Sequence, residues 1–307
     1  MRLAGSLWSS RRIKCQLARH ARLCHGLPQM SSQARSRRRW SWVFLLGAVL
    51  LLAFMLRRFE HSQVYHPSRE FRSTGRELGR PLEEAVFQAA DGTPLHGWFF
   101  PADTNSARKQ MAVLVCHGNA GNISDRLDVC SAFLSAGLNV FVFDYRGYGR
   151  CGGKPSEKGT YLDGEAAYQW LRSKGFAPEN IILHGESLGG GVAAELALHN
   201  NFGGLILQST FTSIPDIGAE LFPWLPVRWL SRISYDTKSK LPRIQVPVLL
   251  MHSRADTLIR FHHAERNYAA AREPKLLWEL TGDHNNSLED SRRFVEGIEK
   301  LLQMIGK

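Results

Sequence analysis

The stretch from Ile181 to Leu198, IILHGESLGGGVAAELAL, constrains the fold more than any other part of the sequence. It opens with a short apolar run typical of a buried strand, and from Val192 its apolar residues follow helical spacing. Between the two lies GESLG, a G-x-S-x-G pattern centred on Ser187. Small neighbours in this pattern permit a sharp, strained turn that lifts a serine hydroxyl above a sheet at the start of a helix. The sequence therefore predicts a nucleophile elbow at Ser187, with an ordinary glycine-rich turn as the alternative.

Apolar runs and helical patterns alternate along most of the chain after residue 80. Residues 82–87 and 94–100 flank Asp91-Gly92 and predict an antiparallel hairpin. Further strands are predicted at Val113–Cys116, Asn139–Phe143, Ile181–His184, Leu205–Gln208, Val248–Met251 and Leu276–Glu279. Helices between these strands indicate the α/β class, with a mostly parallel eight-stranded sheet flanked by helices.

The net charge of +11 comes from the N-terminus. Of the 39 basic residues, nine Arg and one Lys lie in residues 1–39, which leaves 29 basic against 28 acidic residues elsewhere. A near-neutral remainder lacks the basic face that phosphate binding needs, which argues against nucleic acid as a partner. The five cysteines are odd in number and form no C-x-x-C pair, so neither a disulfide framework nor a zinc site is predicted.

Trp40 to Leu56 is a run of seventeen residues without a charge, flanked by arginines on both sides. This length is near the lower limit for a spanning helix, and the flanking arginines and tryptophans suit the membrane interfaces, so we predict a single anchor. A cleaved signal peptide is the alternative, but no small-residue cleavage site follows. The predicted organisation is a basic tail (1–39), an anchor (40–56), a linker (57–80) and an α/β domain (81–307) with a small cap at about 214–245.

The basic tail favours an N-terminus in the cytoplasm and an α/β domain on the other side of the membrane. Residues 1–29 also have the Arg-rich, acid-free composition of a mitochondrial transit peptide, so a mitochondrial membrane is the alternative location. Translation from Met30 is a further alternative, in which the upstream residues carry no function.

A nucleophilic serine needs a base and a carboxylate that orients the base, and in this fold the chain order is Ser, then Asp or Glu, then His. Asp256 follows the strand in VPVLLMHSRADTLI, and His284 follows the last strand in KLLWELTGDHNNS. Both positions lie at the carboxyl edge of the sheet, as Ser187 does. We therefore predict Ser187, Asp256 and His284 as the catalytic group, with Asp283 as the weaker candidate for the acid.

An acyl-transfer site also needs two backbone N–H groups where the oxyanion forms. The residue after the nucleophile, Leu188, supplies one, and Asn119 in VLVCHGNAGN is predicted to supply the other. The glycines of this turn also allow a phosphate loop, but the Lys and Ser/Thr of such a loop are missing.

Other reactive side chains are assigned structural roles. Asp144 is predicted to be a hydrogen-bonding residue, Cys116 a buried thiol and His184 a packed side chain. His262 and His263 open a helix and are predicted to be solvated, so no metal site is expected.

The motifs CHGNAGN, FDYRGYGRCGGKPSEKGTYLDGEAA, HGESLGGGVAAELA, SRADTLI and GDHN, in this order, resemble the membrane-anchored α/β-hydrolases of the bud-emergence-protein type. That family is related to serine aminopeptidase-like and prolyl-oligopeptidase-like hydrolases. The resemblance implies the α/β-hydrolase fold, a triad at Ser187, Asp256 and His284, and an oxyanion hole at Asn119 and Leu188. The sequence departs from the family pattern at Ser253, where glycine is usual, and at Asn286, where an acidic residue is common.

These observations predict a membrane-anchored serine hydrolase that cleaves lipid-like carboxylic esters or acyl thioesters without a cofactor. An amidase or peptidase with the same triad and a silent scaffold of the same fold are the alternatives. Some eukaryotic members of the family remove palmitate from proteins, but the N-terminal cysteine cluster of those members is not matched by Cys15 and Cys24. The apolar cap residues are expected to line an acyl pocket, touch the bilayer or pack on the sheet; they are Phe222, Trp224, Leu225, Val227, Trp229 and Leu230.

Overall fold

The computed structural model describes residues 32–307, with side chains from Trp40 onward. The chain divides into two compact units, of which the first ends at Arg58 and the second begins at Phe59. The predictions for Cys15, Cys24, Met30 and the side chains of the basic tail lie outside the described residues. Helix α1 runs over Ser32–Val64. Within it, Trp40–Val64 is long and apolar enough to cross a membrane by length and composition, with a mean hydropathy of 1.9.

An eight-stranded sheet forms the centre of the second unit. Its strands are β2 (Glu83–Gln88), β3 (Pro94–Phe100), β4 (Ala112–Cys116), β6 (Asn139–Phe143), β7 (Ile181–Glu186), β8 (Gly204–Gln208), β9 (Val248–Ser253) and β10 (Lys275–Leu280). The order across the sheet is β10-β9-β8-β7-β4-β6-β3-β2, and every pair is parallel except β2 with β3 and β3 with β6. The predicted sheet and hairpin are confirmed, because all eight apolar runs form strands at the expected positions.

The two faces of the sheet carry separate apolar clusters, because successive side chains of a strand point to opposite faces. Leu114 pairs in register with Phe141 and Leu183, and all three belong to one cluster. The adjacent Val113 pairs with Ile182, and both belong to the other cluster. Burial on both faces explains why the central strands are continuous apolar runs and not alternating patterns.

Helices cover both faces. They are α2 (Leu127–Ser135), α3 (Glu157–Ser173), α4 (Leu188–Ala197), α8 (His262–Ala270) and α9 (Ser291–Met304). In α9 the apolar side chains recur at helical spacing and are buried as part of the second cluster at Phe294, Ile298, Leu301 and Leu302. Three shorter helices, α5 (Ile214–Leu221), α6 (Val227–Leu230) and α7 (Thr237–Lys240), occupy the segment that was predicted to be a cap.

Most of the segment predicted to be a linker, residues 57–80, is part of a folded unit. From Phe59 onward it belongs to the same compact unit as the sheet. Within it, β1 (His66–Pro67) pairs in parallel with β5 (Ala120–Gly121), which makes a separate two-stranded sheet. The segment is ordered by main-chain hydrogen bonds, which its charged and Ser/Pro-rich composition does not reveal.

Candidate active site

The predicted site residues follow the carboxyl ends of parallel strands. Ser187 follows β7, Asp256 follows β9 by a short loop, and His284 follows β10 in the same way. The loop that contains Asn119 follows β4, the neighbour of β7. Since parallel strands end at one edge of a sheet, the fold gathers all these residues at that edge.

The turn at Ser187 is strained as the G-x-S-x-G pattern predicts. Ser187 has φ 51° and ψ −114°, a positive φ that a residue with a side chain adopts only when its surroundings enforce it. A Cβ at Gly189 would overlap the carbonyl oxygen of Cys116, and one at Gly185 would press on Gly189 and Gly190. The two glycines are therefore needed because β4, the turn and α4 approach one another at backbone distance.

Asp256 and His284 form a direct pair. Nδ1 of His284 donates to Oδ2 of Asp256 at 2.8 Å, and Oδ1 of Asp256 accepts from the backbone N–H groups of Leu258 and Ile259. Burial raises the pKa of the Asp256 carboxyl, but hydrogen bonds from His252 and His284 outweigh burial and hold the pKa below its usual range. Asp256 is therefore an ionised group that fixes His284 with Nε2 free to accept a proton.

Asp283 has a different role. Its Oδ1 accepts from the backbone N–H of Thr257 at 2.9 Å and from that of His284 at 2.7 Å. It therefore holds the loop that carries His284, whereas Asp256 bonds the imidazole ring.

Gln208, at the end of β8, links the turn at Ser187 to the loop that carries His284. Its carbonyl accepts from Ser187 N–H at 2.9 Å, and its Nε2 donates to Ser287 Oγ at 2.8 Å. Within residues 32–307 no hydrogen bond joins Ser187 Oγ to His284; such contacts commonly tighten only when substrate binds. Sequence reasoning missed Gln208, and its position at the end of a strand beside β7 is the signal that could have found it.

The two predicted oxyanion donors belong to two segments that meet at Ser187. Leu188 is the first residue of α4, so its N–H has no acceptor within the helix. In the second segment, a Cβ at Gly118 would lie 3.6 Å from the Cβ of Ser187, so the loop before Asn119 contacts the elbow. Among the described residues, Asn119 N–H donates no hydrogen bond.

Two tyrosines of the FDYRGYG motif hold the Asn119 loop, and sequence reasoning missed both. Tyr145 donates its hydroxyl to the carbonyl of His117 at 3.0 Å, and Tyr148 donates to the carbonyl of Asn119 at 2.8 Å. Asp144 accepts from the backbone N–H of Ile123 at 2.9 Å, which confirms its predicted hydrogen-bonding role.

Comparisons with known proteins identify the family and the fold. A family model described as serine aminopeptidase, S33, matches residues 107–239. The α/β-hydrolase domain-containing protein WAV2 of Arabidopsis thaliana is 31% identical over 76% of this chain and 81% of its own length. Protein bem46 of Schizosaccharomyces pombe is 30% identical over 72% of this chain and 78% of its own length. The chain belongs to the bem46-type α/β-hydrolases.

The fold of this bem46-type hydrolase is also that of a solved esterase. The Pyrococcus furiosus esterase Pf2001 superposes with a TM-score of 0.64 and 22% identity, over 78% of this chain and 97% of the esterase.

Ser253, which stands where the family pattern usually has glycine, makes a hydrogen bond within its own loop. Its Oγ accepts from the backbone N–H of Ala255 at 3.1 Å, so the serine shapes the loop that carries Asp256. Asn286 lines a cavity of about 340 Å³ beside Glu186.

The remaining reactive groups of the bem46-type hydrolase are mostly buried. Burial raises the pKa of the Cys116 thiol and lowers that of His184 to about 4, as their predicted packed roles require. The prediction that His263 is solvated is wrong, because this side chain is fully buried. From α8, His263 faces Thr212 and Glu220 of the cap region, a contact that the local sequence does not reveal.

His263 lies with His262 and Glu220 in a cluster whose atoms are close enough to hold a metal ion. However, Nδ1 of His263 accepts from the backbone N–H of Thr212 at 3.1 Å, and burial lowers its pKa to about 4. The neutral ring therefore carries its hydrogen on Nε2, which faces Glu220 at 3.4 Å. A nitrogen that carries a hydrogen does not ligate a metal, so the cluster fits a contact between cap and core.

Proposed function

We propose that this bem46-type hydrolase is a membrane-anchored serine hydrolase that cleaves carboxylic esters or acyl thioesters. The observation that carries the proposal is the ionised Asp256 bonded to Nδ1 of His284, at the sheet edge where Ser187 sits in a strained turn. This arrangement supplies a base, an orienting carboxylate and a strained turn that carries the nucleophile.

The proposed reaction has two steps. His284 Nε2 takes the proton of Ser187 as Oγ attacks the acyl carbon, and the N–H groups of Leu188 and Asn119 stabilise the oxyanion. The alcohol or thiol leaves with the proton from His284. Water, deprotonated by His284, then attacks the acyl-serine, and the carboxylic acid leaves as Ser187 regains its proton. The chemistry needs only side chains, backbone N–H groups and water.

The cap favours a substrate that is presented by a membrane. Trp224 and Trp229 are 75% and 91% exposed, which does not suit the lining of an enclosed acyl pocket. The ring of Phe222 lies 5.6 Å from that of Phe59, which follows the charge-free run Trp40–Leu56, and Glu60 accepts from the backbone N–H groups of residues 232 and 233. Tryptophans near a span suit the membrane interface, so we propose that the cap contacts the bilayer. Because of the basic tail, we propose that the N-terminus lies in the cytoplasm and the hydrolase unit on the other side of the membrane.

An amide or peptide substrate is the second candidate. Four carboxylates, those of Asp125, Asp128, Glu186 and Glu289, line the cavity beside the elbow together with one guanidinium, that of Arg126. An excess of negative charge favours a cationic substrate group such as a free amino terminus. The matched family model, described as a serine aminopeptidase, supports the same alternative.

A substrate panel tests the proposal. The solubilised full chain is assayed with esters and thioesters of increasing acyl length and with aminoacyl amides. Ser187→Ala is expected to lower turnover by about 10⁴-fold or more. Ser173→Ala, at an exposed serine of α3, is the matched control and should leave turnover unchanged. Turnover that survives in folded Ser187→Ala would contradict the proposal, and amide-selective turnover would favour the second candidate.

The bilayer contact has its own test. Trp224→Ser with Trp229→Ser should reduce turnover of a long-chain ester in phosphatidylcholine vesicles, but not of a short-chain ester in solution. Equal effects on both substrates would contradict contact between the cap and the bilayer.

A further inference from the structure

The segment that follows the predicted span makes main-chain contacts with the loop of Asn119. In the parallel pairing of β1 with β5, His66 N–H donates to the carbonyl of Asn119 at 3.0 Å, and Ser68 N–H donates to the carbonyl of Gly121 at 3.0 Å. Nδ2 of Asn119 donates to the carbonyl of Val64 at 3.1 Å. Residues 64–68, here named the strap, therefore bind the loop at Asn119 and at Gly121.

These bonds act on the direction of the Asn119 N–H. The peptide plane that contains this N–H also contains the carbonyl of Gly118, which accepts from His117 Nδ1 at 2.7 Å. The next plane contains the carbonyl of Asn119, which accepts from Tyr148 and from His66 of the strap. Because peptide planes are rigid, fixing the planes before and after Asn119 leaves its N–H little freedom to rotate.

The strap is itself fixed to the body of the hydrolase unit. Tyr65 is buried, and its hydroxyl lies 3.0 Å from that of Tyr235, which lies 2.7 Å from Thr160 Oγ1 on α3. At the other end, the carbonyl of Ser68 accepts from Gly149 N–H at 2.9 Å. Because the strap is fixed at both ends, its hydrogen bonds can hold the Asn119 loop in one position.

We propose that the strap is a positioning element of the oxyanion hole, in which His66 N–H orients the peptide planes at Asn119. This inference rests on the proposed function, since it takes Asn119 N–H as an oxyanion donor. A preorganised donor acts where charge develops in the transition state, so its misalignment lowers kcat more than it raises KM.

A matched pair of variants in the full chain isolates the N–H of His66. His66→Pro removes the N–H, whereas His66→Ala removes only the exposed side chain and keeps the N–H. Removal of a whole oxyanion donor costs about 10²- to 10³-fold in kcat. For a misaligned donor we expect kcat of His66→Pro to be about 10- to 100-fold below that of His66→Ala, with KM within about 2-fold. Affinity for a trifluoromethyl ketone, which forms an oxyanion adduct with the serine, should fall by the same factor as kcat.

Asn119→Ala is the second variant, for the case that His66→Pro does not fold. It removes the bond from Nδ2 to Val64 but keeps the backbone N–H, and it should also lower kcat at unchanged KM. Equal kcat for the two folded His66 variants would overturn the positioning role, as would unchanged kcat in Asn119→Ala if His66→Pro is unfolded. Absence of Ser187-dependent hydrolysis in the wild type would overturn the proposed function itself, and the positioning role with it.

Discussion

The two sides of the candidate site are built in different ways. On one side, Ser187 and Leu188 stand where β7 passes into α4, and the glycines that this turn needs lie within the five residues of the motif. On the other side, the carbonyl of Asn119 and its side chain are held by residues up to 55 positions away. The first side can therefore be recognised from the local sequence, whereas the second depends on contacts that the local sequence does not show. We expect substitutions on the first side to have larger effects than substitutions on the second.

The largest difference is expected between Gly189 and Gly118, one glycine from each side, when each is replaced by alanine and the free energy of unfolding is measured. Gly189→Ala places a Cβ onto the carbonyl oxygen of Cys116, so we expect a loss of about 3 kcal/mol in the free energy of unfolding, or no folded protein. Gly118→Ala meets neighbours at 3.5 Å and 3.6 Å, which is ordinary contact, and should cost less than about 1 kcal/mol. Urea denaturation measures both values, and equal losses would contradict the comparison.

The acid should be identified by a pair of isosteric changes. Asp256→Asn removes the charge that fixes His284, and we expect kcat to fall by about 10³- to 10⁴-fold. Asp283→Asn, at the adjacent carboxylate, should cost less than about 10-fold, because Asp283 bonds backbone N–H groups and not the ring. Steady-state kinetics distinguish the two; a larger loss in Asp283→Asn would reverse the assignment.

A smaller effect is expected on the side of the loop. Tyr148→Phe removes one of the bonds to the carbonyl of Asn119, and kcat should fall by about 10-fold while KM is unchanged. Tyr168→Phe is the control, since Tyr168 packs against Phe202 on a different part of the unit. An equal loss of kcat in both variants would contradict a specific role of the Tyr148 hydroxyl in holding the loop.

The smallest effect concerns stability and pH. Because the pKa of Asp256 is lowered in the folded protein, its ionised form contributes stability that is complete above the unfolded value of about 4. That contribution is lost as the pH falls below this value toward the lowered pKa. Between pH 5 and pH 3, the Tm of Asp256→Asn should therefore fall less steeply than that of the wild type, and parallel Tm curves would contradict the lowered pKa.

The parts of the molecule that follow from local patterns could be predicted from the sequence. Each central strand is a continuous apolar run because both faces are buried, and the elbow needs its glycines within five residues. The order of Asp256 and His284 after Ser187 allowed the pair to be placed before the fold was known.

The rest depends on contacts that leave little trace in the local sequence. The strap pairs through main-chain groups, which every residue except proline carries, so residues 57–80 had the composition of a linker. His263 is buried because the backbone of Thr212 lies against it, and neither residue indicates the other. Tyr145 and Tyr148 belong to a motif that the resemblance identified, but their hydroxyl partners become visible only in three dimensions.

Labelling with a fluorophosphonate probe tests the central claim most directly, because the probe forms a covalent bond only with an activated serine. The solubilised wild type and Ser173→Ala are predicted to be labelled, whereas folded Ser187→Ala is predicted to be unlabelled and folded His284→Ala to react at least about 10²-fold more slowly. Labelling that persists in Ser187→Ala, or a folded wild type that does not react, would contradict the account of Ser187 as the nucleophile.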